Sequence, residues 1–427
     1  MTGANHSPSP CGRGLGGGVP PGDTKSTPNP HGHSDDPTLR LLRLHLSDFR
    51  NYPALTWRPA ICISVLFGPN GSGKTNLLEA ISLLVPGRGL RSARTADIAR
   101  RGTGATGGWA VAGRFTTTTG PADIGTGTAP DGPPDRRVFR LDGVAPRNQG
   151  EIAARIAAVW LTPQMDRLFL EPASGRRRFL DRLVWALEPS HAREIAAHDA
   201  AMSGRNRLLA QHVQDTAWLA GLEDAMARHA VAATVGRMTL VARLEAAMAG
   251  GVVNGFPTVR VALDCPIAGR LAEVPAVEVE DWLRRDLAGC RGRDAQAGSA
   301  AIGAHRCDML LTDASGFSAS LASTGEQKAM LLAVILGHAM MIAEARGFAP
   351  LLLLDEPAVH LDPARRAALF SALIRLPAQV LLTGTDAETF LPLADRAEGL
   401  STGGGELIAD GRFFASRTAA APVPRSL

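Results

Sequence analysis

The string Gly68-Pro69-Asn70-Gly71-Ser72-Gly73-Lys74-Thr75 fits the pattern G-x-x-x-x-G-K-[ST] and follows directly on the apolar run Ile61 to Phe67. Residues of these types at this spacing suit the phosphates of a nucleoside triphosphate. The glycines allow a loop whose backbone N–H groups converge on phosphate oxygens, and a helix starting at its end adds its dipole. Lys74 then reaches the β- and γ-phosphates as a point charge, and the Thr75 hydroxyl is placed to ligate Mg2+. Toward the other end of the chain, Leu351-Leu352-Leu353-Leu354 runs into Asp355-Glu356. In that pairing Asp355 is expected to hold Mg2+ through water, and Glu356 to polarise the water that attacks the γ-phosphate.

Lysine usage sharpens the reading. Of the 45 basic residues only three are lysine: Lys25, Lys74 and Lys328. Arginine supplies generic positive charge almost everywhere, so a lysine in the ordered region marks a place where a compact ammonium suits the site. Lys74 lies in the phosphate loop, and Lys328 follows the string Leu321-Ala322-Ser323-Thr324-Gly325-Glu326-Gln327.

These groups need a sheet assembled from both chain ends, because the loop and the two acids are far apart in sequence; the middle must then be an insertion. Leu39 to Leu46 largely alternates and predicts a half-buried strand, and the denser run Ile61 to Phe67 a central one. A helix is expected from Lys74 to about Leu84. Trp109 to Phe115 and Arg137 to Leu141 read as paired strands, with Thr116 to Asp135 between them as a mobile Thr/Gly/Pro loop. Residues 176–248 read as helical, with Pro189 and Gly204 as the clearest breakers. Thr258 to Leu263 alternates, a buried helix runs from Gly325 to about Ala345, and strands follow at 351–354 and 379–383. Residues 1 to about 37 are rich in Gly, Pro, Ser and His and are expected to be disordered.

Composition excludes other classes. The chain has 427 residues, 45% of them apolar, and a mean hydropathy of +0.01. Its longest apolar run, Ala329 to Ala343, is interrupted by His338 and falls short of the roughly 20 residues a membrane span needs, which argues against an integral membrane protein. A net charge of +4 permits a nucleic-acid partner without requiring one. Five scattered cysteines with no CxxC pair suggest neither a disulfide framework nor a zinc site, and fit a reducing cytoplasm.

The string around Ser323 resembles the LSxGE/Q signature of ABC-type ATPases, with Ala322 inserted relative to the simplest form, and Leu361-Asp362 resembles their D-loop. Within that superfamily the chain resembles the RecF family of DNA replication and repair proteins from about Leu39 to Phe390. The strings carrying this likeness are Leu44-His45-Leu46-Ser47-Asp48-Phe49-Arg50-Asn51-Tyr52, Asn76 to Ile81, Gly87 to Ser92, Arg176 to Asp181, and Gly303 to Asp308.

The resemblance implies an α/β fold: a P-loop ABC-type ATPase head with a largely helical second lobe inserted between its two halves. The corresponding division is a tail over 1–38, a first head segment over 39–165, the second lobe with the signature over 166–340, and a second head segment over 341–427. It implies ATP as the nucleotide. Gly68, Pro69, Asn70, Gly71, Ser72, Gly73, Lys74, Thr75 and Asn76 would hold it, with Arg50, Asn51 and Gly325 as further contacts. Thr75, Asp355 and Gln164 would hold Mg2+. Ser323 would reach the γ-phosphate bound by an opposing copy, and Glu356 and Lys74 would serve hydrolysis. Implied partners are a second copy of the chain, duplex, gapped or junction DNA, and RecR with RecO behind it, in the cytoplasm. Two departures stand out: Thr324-Gly325-Glu326 in place of a simpler LSxGQ, and Thr383-Gly384-Thr385 where transporter-type heads carry a histidine. The other readings are a nucleotide-binding scaffold for a protein partner and the ATPase subunit of a transporter.

Overall fold

The computed structural model describes residues 38–102, 107–129, 132–212, 215–249 and 254–413. The expected tail lies outside these residues except for Thr38. The strands are β1 (Arg40–Phe49), β2 (Tyr52–Trp57), β3 (Ile63–Phe67), β4 (Ala110–Thr117), β5 (Gly120–Thr128), β6 (Arg137–Leu141), β7 (Ala158–Leu161), β8 (Val259–Asp264), β9 (Asp308–Asp313), β10 (Leu351–Leu354), β11 (Val380–Gly384), β12 (Glu398–Gly403) and β13 (Glu406–Ala409). The helices are α1 (Lys74–Leu84), α2 (Gln149–Arg155), α3 (Ala173–Leu187), α4 (His191–Ala210), α5 (Thr216–Ala249), α6 (Pro266–Leu271), α7 (Ala276–Gly289), α8 (Arg291–Ala297), α9 (Thr324–Arg346) and α10 (Pro363–Arg375).

Both chain ends do meet in one sheet. Its order is β13-β12-β3-β11-β10-β7, parallel from β12 to β7, with β13 antiparallel at one edge. Register pairs Ile63 with Val380 and Leu351 with Ala158. β3, β7, β10 and β11 are buried at every position. Strands covered on both faces read as continuous apolar runs rather than alternations, which is why these four are so apolar in sequence. A second, antiparallel sheet, β2-β1-β4-β5-β6, packs one face against α1 through Leu41, Leu44, Leu46, Val111, Phe115 and Ile124.

The segment Thr116 to Asp135, expected as a mobile loop, contains β5, which sits between β4 and β6 and pairs with both. Alternation is its signal: Ala122 and Ile124 are buried while Pro121 and Asp123 are exposed. Its glycines hid the strand, and at least one has a packing reason. A Cβ on Gly127 would come within 2.3 Å of the Trp109 carbonyl oxygen, so the two strands can approach this closely only without a side chain.

The helical region resolves into α3, α4 and α5, and Gly204 lies inside α4 against Leu222 instead of breaking it. Arg205, wholly buried, holds α4 to its neighbours through Glu223, Asp294 and the Leu287 carbonyl at 3.0, 2.8 and 2.7 Å. The expected boundary at 340/341 falls inside α9, a continuous helix running from an N-cap at Ser323 to Gly347, and the one at 165/166 falls inside the short 3-10 turn Pro163–Arg167. α9 packs into the same apolar cluster as β3, β10, β11, α3 and α5, so it belongs equally to sheet and helices. At 23 residues it is long and apolar enough to cross a membrane, which the interrupted run in sequence understated; 78% of its most apolar window is nevertheless buried inside the fold.

The cysteine reading also needs correction. Cys265 and Cys307 form a disulfide although 42 positions separate them. β8 and β9 pair antiparallel with Asp264 opposite Asp308, which places the next residue outward on each strand side by side. Sequence spacing carries no trace of that register.

Candidate active site

The loop after β3 bends where only glycine bends freely: Gly68, Gly71 and Gly73 have φ of 146°, 82° and 110°. Gly73 is also the N-cap of α1, and a Cβ there would lie 2.5 Å from Asn51 Nδ2 and 2.7 Å from the Tyr52 hydroxyl. Lys74 is 5% exposed and folds over the loop, donating to the carbonyls of Gly68 at 2.6 Å and Pro69 at 3.0 Å. Burial lowers its pKa, while Glu356 and Asp355 nearby pull it back up. An ammonium held so is ready to exchange loop carbonyls for phosphate oxygens.

The carboxyl ends of β10 and β11 bring the rest, as open parallel sheets do at their ligand sites. Thr75 donates to Asp355 Oδ1 at 3.0 Å, and Thr383 donates to the same oxygen at 2.7 Å. Two hydroxyls and one carboxylate are hard oxygen donors. Mg2+ is usually held by one or two protein oxygens, with phosphate and water completing its shell, so these residues fit that ion. Among the described residues no cluster of three or more His, Cys, Asp or Glu offers an all-protein cage. Glu356 is the next residue. Its backbone is in the left-handed region at φ 51°, its N–H donates to Thr383 Oγ1 at 2.9 Å, and its carbonyl accepts from Lys328 Nζ at 2.9 Å.

The remaining expected residues divide. Asn51 sits on the loop, donating to the Ser72 carbonyl at 3.2 Å and accepting from Asn76 Nδ2 at 2.7 Å. Arg91, from the Gly87 to Ser92 string and outside the expected site residues, donates to Asn76 Oδ1 at 2.6 Å, which brings it beside the phosphate loop. Ser72 shares a hydroxyl pair with Thr402 at 2.6 Å, while Pro69 and Asn70 are exposed at the loop's tip. Arg50 is placed differently from expectation. Its guanidinium grips Glu79 of α1 with two bonds of 2.8 and 2.6 Å and the Asp97 carbonyl with a third, so it braces the helix. Gln164 is exposed and lines a cavity of about 930 Å3 between the 85–92 loop and α3 and α4; no hydrogen bond joins it to Thr75 or Asp355. The three arginines that open the Arg176 to Asp181 string are placed differently: Arg176 pairs with Asp308, Arg177 donates to the Cys307 carbonyl, and Arg178 is exposed.

Ser323 caps α9 in a capping box. Its N–H and hydroxyl both donate to Glu326 Oε2, at 2.9 and 2.7 Å, and its Oγ accepts from the Glu326 N–H. Gly325 lies in the first turn, where a Cβ would come within 2.8 Å of the His360 carbonyl oxygen. Glycine is therefore required here by packing within the chain, whatever else it contacts. Leu321 just outside is 73% exposed, Phe317 four positions before it is exposed too, and so is Val359, next to the His360 that Gly325 packs on.

Three supports carry no sequence signal strong enough to single them out. Thr383 stands where a transporter-type histidine is absent, and it orients both acids. Asp166 is paired with Lys328 across 3.3 Å. Tyr52, the single tyrosine of the chain, is buried and donates to the Gly73 carbonyl at 3.1 Å, and burial pushes its pKa up to about 12. Tyr52→Phe is expected to lower unfolding free energy by about 1 kcal/mol, measured by urea denaturation with an unchanged slope. All three are polar residues beside a buried run, a pattern too frequent in proteins to mark a site.

A phosphate loop and a strand ending in Asp-Glu at the carboxyl end of one parallel sheet, with a capped signature helix packed on it, define an ABC-type P-loop ATPase head. A family model described as "AAA domain, putative AbiEii toxin, Type IV TA system" matches residues 63–142 and 297–383, the segments that carry these three parts. The chain is 46% identical to the DNA replication and repair protein RecF of Mesorhizobium japonicum over 84% of its own length and 95% of that protein. It is 42% identical to RecF of Allorhizobium ampelinum over 86% and 97%. A solved structure of the recombination mediator protein RecF with ATP superposes with a TM-score of 0.75 at 20% identity, covering 88% of this chain and all of that one. An Smc head bound to the C-winged helix domain of ScpA superposes at 0.50 with 15% identity over 87% and 97%, a likeness of fold alone. The chain belongs to the RecF family of ATP-binding DNA replication, repair and recombination proteins.

Proposed function

We propose that this chain is an ATP-gated DNA clamp that binds ATP–Mg2+, closes head to head on a second copy around two nucleotides, and reopens on slow hydrolysis. Lys74 and the loop N–H groups hold the triphosphate, Thr75 and Asp355 hold the metal, and Glu356 orients the attacking water. The metal, when bound, neutralises charge developing on the phosphates. Ser323 and Gly325 meet the partner's γ-phosphate, with Leu321 and Asp362 at the same interface. The observation that carries this reading is the gathering of Lys74, Thr75, Asp355, Thr383 and Glu356 at the carboxyl ends of β3, β10 and β11 from opposite ends of the chain. RecR, and RecO through it, are the expected protein partners in the cytoplasm, a reading supported by the RecFOR pathway to which the solved relative belongs.

The outer face of the antiparallel sheet supports a polyanion as the other ligand. Arg43 on β1 lies directly opposite Arg114 on β4, and one row along, His45, Ala112, Gly125 and Arg140 are in register. These side chains surround a shallow depression of about 310 Å3 whose floor is glycine and alanine. Arg43, Arg114 and Arg140 are exposed, and Asp123 is the one acid among them. Like charges directly opposite weaken a sheet, and a sugar–phosphate backbone would relieve that repulsion.

The test is binding of a labelled duplex to the Glu356→Gln protein, with and without ATP–Mg2+, across a salt series. Binding only with ATP, weakening steeply with salt, is the expected result. Alanine at Arg43, Arg114 and Arg140 together should flatten the plot of log affinity against log salt by about 0.9 for each phosphate no longer neutralised. A protein that dimerises with ATP yet binds no DNA would instead be a scaffold for a protein partner.

A further inference from the structure

Lys328 is wholly buried, and it is the only described lysine besides Lys74. In a chain that uses arginine almost everywhere else, an ammonium sealed in the interior needs an account. Its Nζ lies 3.3 Å from Asp166 Oδ2 and donates to the Glu356 carbonyl at 2.9 Å. Three elements thus converge on one charge: the second turn of α9, the Pro163–Arg167 turn that also carries Gln164, and the loop leaving β10. The first turn of α9 touches that loop again, because Gly325 packs on the His360 carbonyl. Positions 325 and 328 share a helix face, so one face of α9 holds both ends of the segment from Glu356 to His360. Both of those residues are non-glycines in the left-handed region, at φ 51° and 65°. Such backbone persists only where surrounding contacts over-determine it.

We infer that Lys328 is a positioning residue for hydrolysis: it ties the backbone of Glu356 to the start of the signature helix and to the turn bearing Gln164. The inference rests on the function proposed above. Whatever engages the Ser323 end of α9, such as a γ-phosphate from a second copy, is then felt at Glu356 in the same chain through Gly325 and Lys328. The chain uses lysine here because one compact ammonium can serve a carboxylate and a carbonyl inside a closed space, where a planar guanidinium needs more room and more acceptors.

Removing Lys328 alone leaves Asp166 buried without its counter-charge, so a stability loss is expected whatever else Lys328 does. The discriminating variant is Lys328→Met combined with Asp166→Leu, which removes both charges. It is expected to recover the melting temperature of the full-length protein. The Glu356 carbonyl still lacks its donor, so kcat should stay at least about tenfold down while KM for ATP remains within about threefold. Recovery of both melting temperature and kcat would overturn the inference and leave the pair purely structural. Wild-type protein that binds ATP without turnover would instead remove the hydrolytic reading itself, and this one with it. Should neither variant fold, hydrogen exchange of the wild type decides. ATP should raise protection in the first turns of α9 and in 356–361 together, and protection confined to one of them would refute the link.

Discussion

Lys74→Ala binds ATP at least about a hundredfold more weakly than the wild type, as read by titration with a fluorescent ATP analogue. The expectation follows from where the ammonium sits. Lys74 is nearly excluded from water, its two ligands are carbonyls of the loop itself, and Asp355 and Glu356 keep its charge in place against burial. A triphosphate entering the loop brings several negative charges to a site with this one buried lysine. Losing one partner of a desolvated charge contact costs about 3–5 kcal/mol, which corresponds to roughly two to nearly four powers of ten in affinity. Lys74→Arg should not rescue, because the guanidinium is broader than the space between Gly68 and Pro69 that a single Nζ now fills. Affinity within about tenfold of wild type in Lys74→Ala would place the phosphates elsewhere.

Most of this site is legible in the amino-acid sequence, for a physical reason. A phosphate loop is local: loop, lysine and hydroxyl are contiguous, and the backbone conformation they need writes glycine into the sequence at Gly68, Gly71 and Gly73. The Leu351–Leu354 strand is legible because a strand buried on both faces has no polar face to confuse its pattern. What escapes depends on contacts between segments remote in sequence. Thr383 holds Asp355 from 28 positions away, and Lys328 reaches Asp166 across 162. Arg50 finds its partner in Glu79 of α1, 29 positions away. β5 escapes because close approach to Trp109 replaces β-branched residues with glycine at Gly127, erasing the composition by which strands are recognised. Register between remote strands, as with Cys265 and Cys307, leaves no local mark at all.

Glu356→Gln should separate binding from turnover more cleanly than any other single change. The amide is nearly the same size as the carboxylate, and its backbone anchors remain: Thr383 still accepts from the N–H, and Lys328 still donates to the carbonyl. The side chain itself makes no hydrogen bond to a described residue, so its replacement should leave no buried partner stranded. Stability should therefore change little, and ATP affinity should hold or rise slightly as one negative charge leaves the neighbourhood of the phosphates. Hydrolysis should fall by about 10²–10⁴, the range associated with loss of a positioned general base. With turnover slowed and binding kept, the ATP-bound form accumulates. Size-exclusion chromatography in ATP–Mg2+ should then show a dimer that lasts through the run, where the wild type gives a mixture returning to monomer. Turnover in Glu356→Gln equal to that of the wild type would mean that another group orients the water. Asp355 would be the next residue to vary, since its Oδ1 is the point on which Thr75 and Thr383 converge.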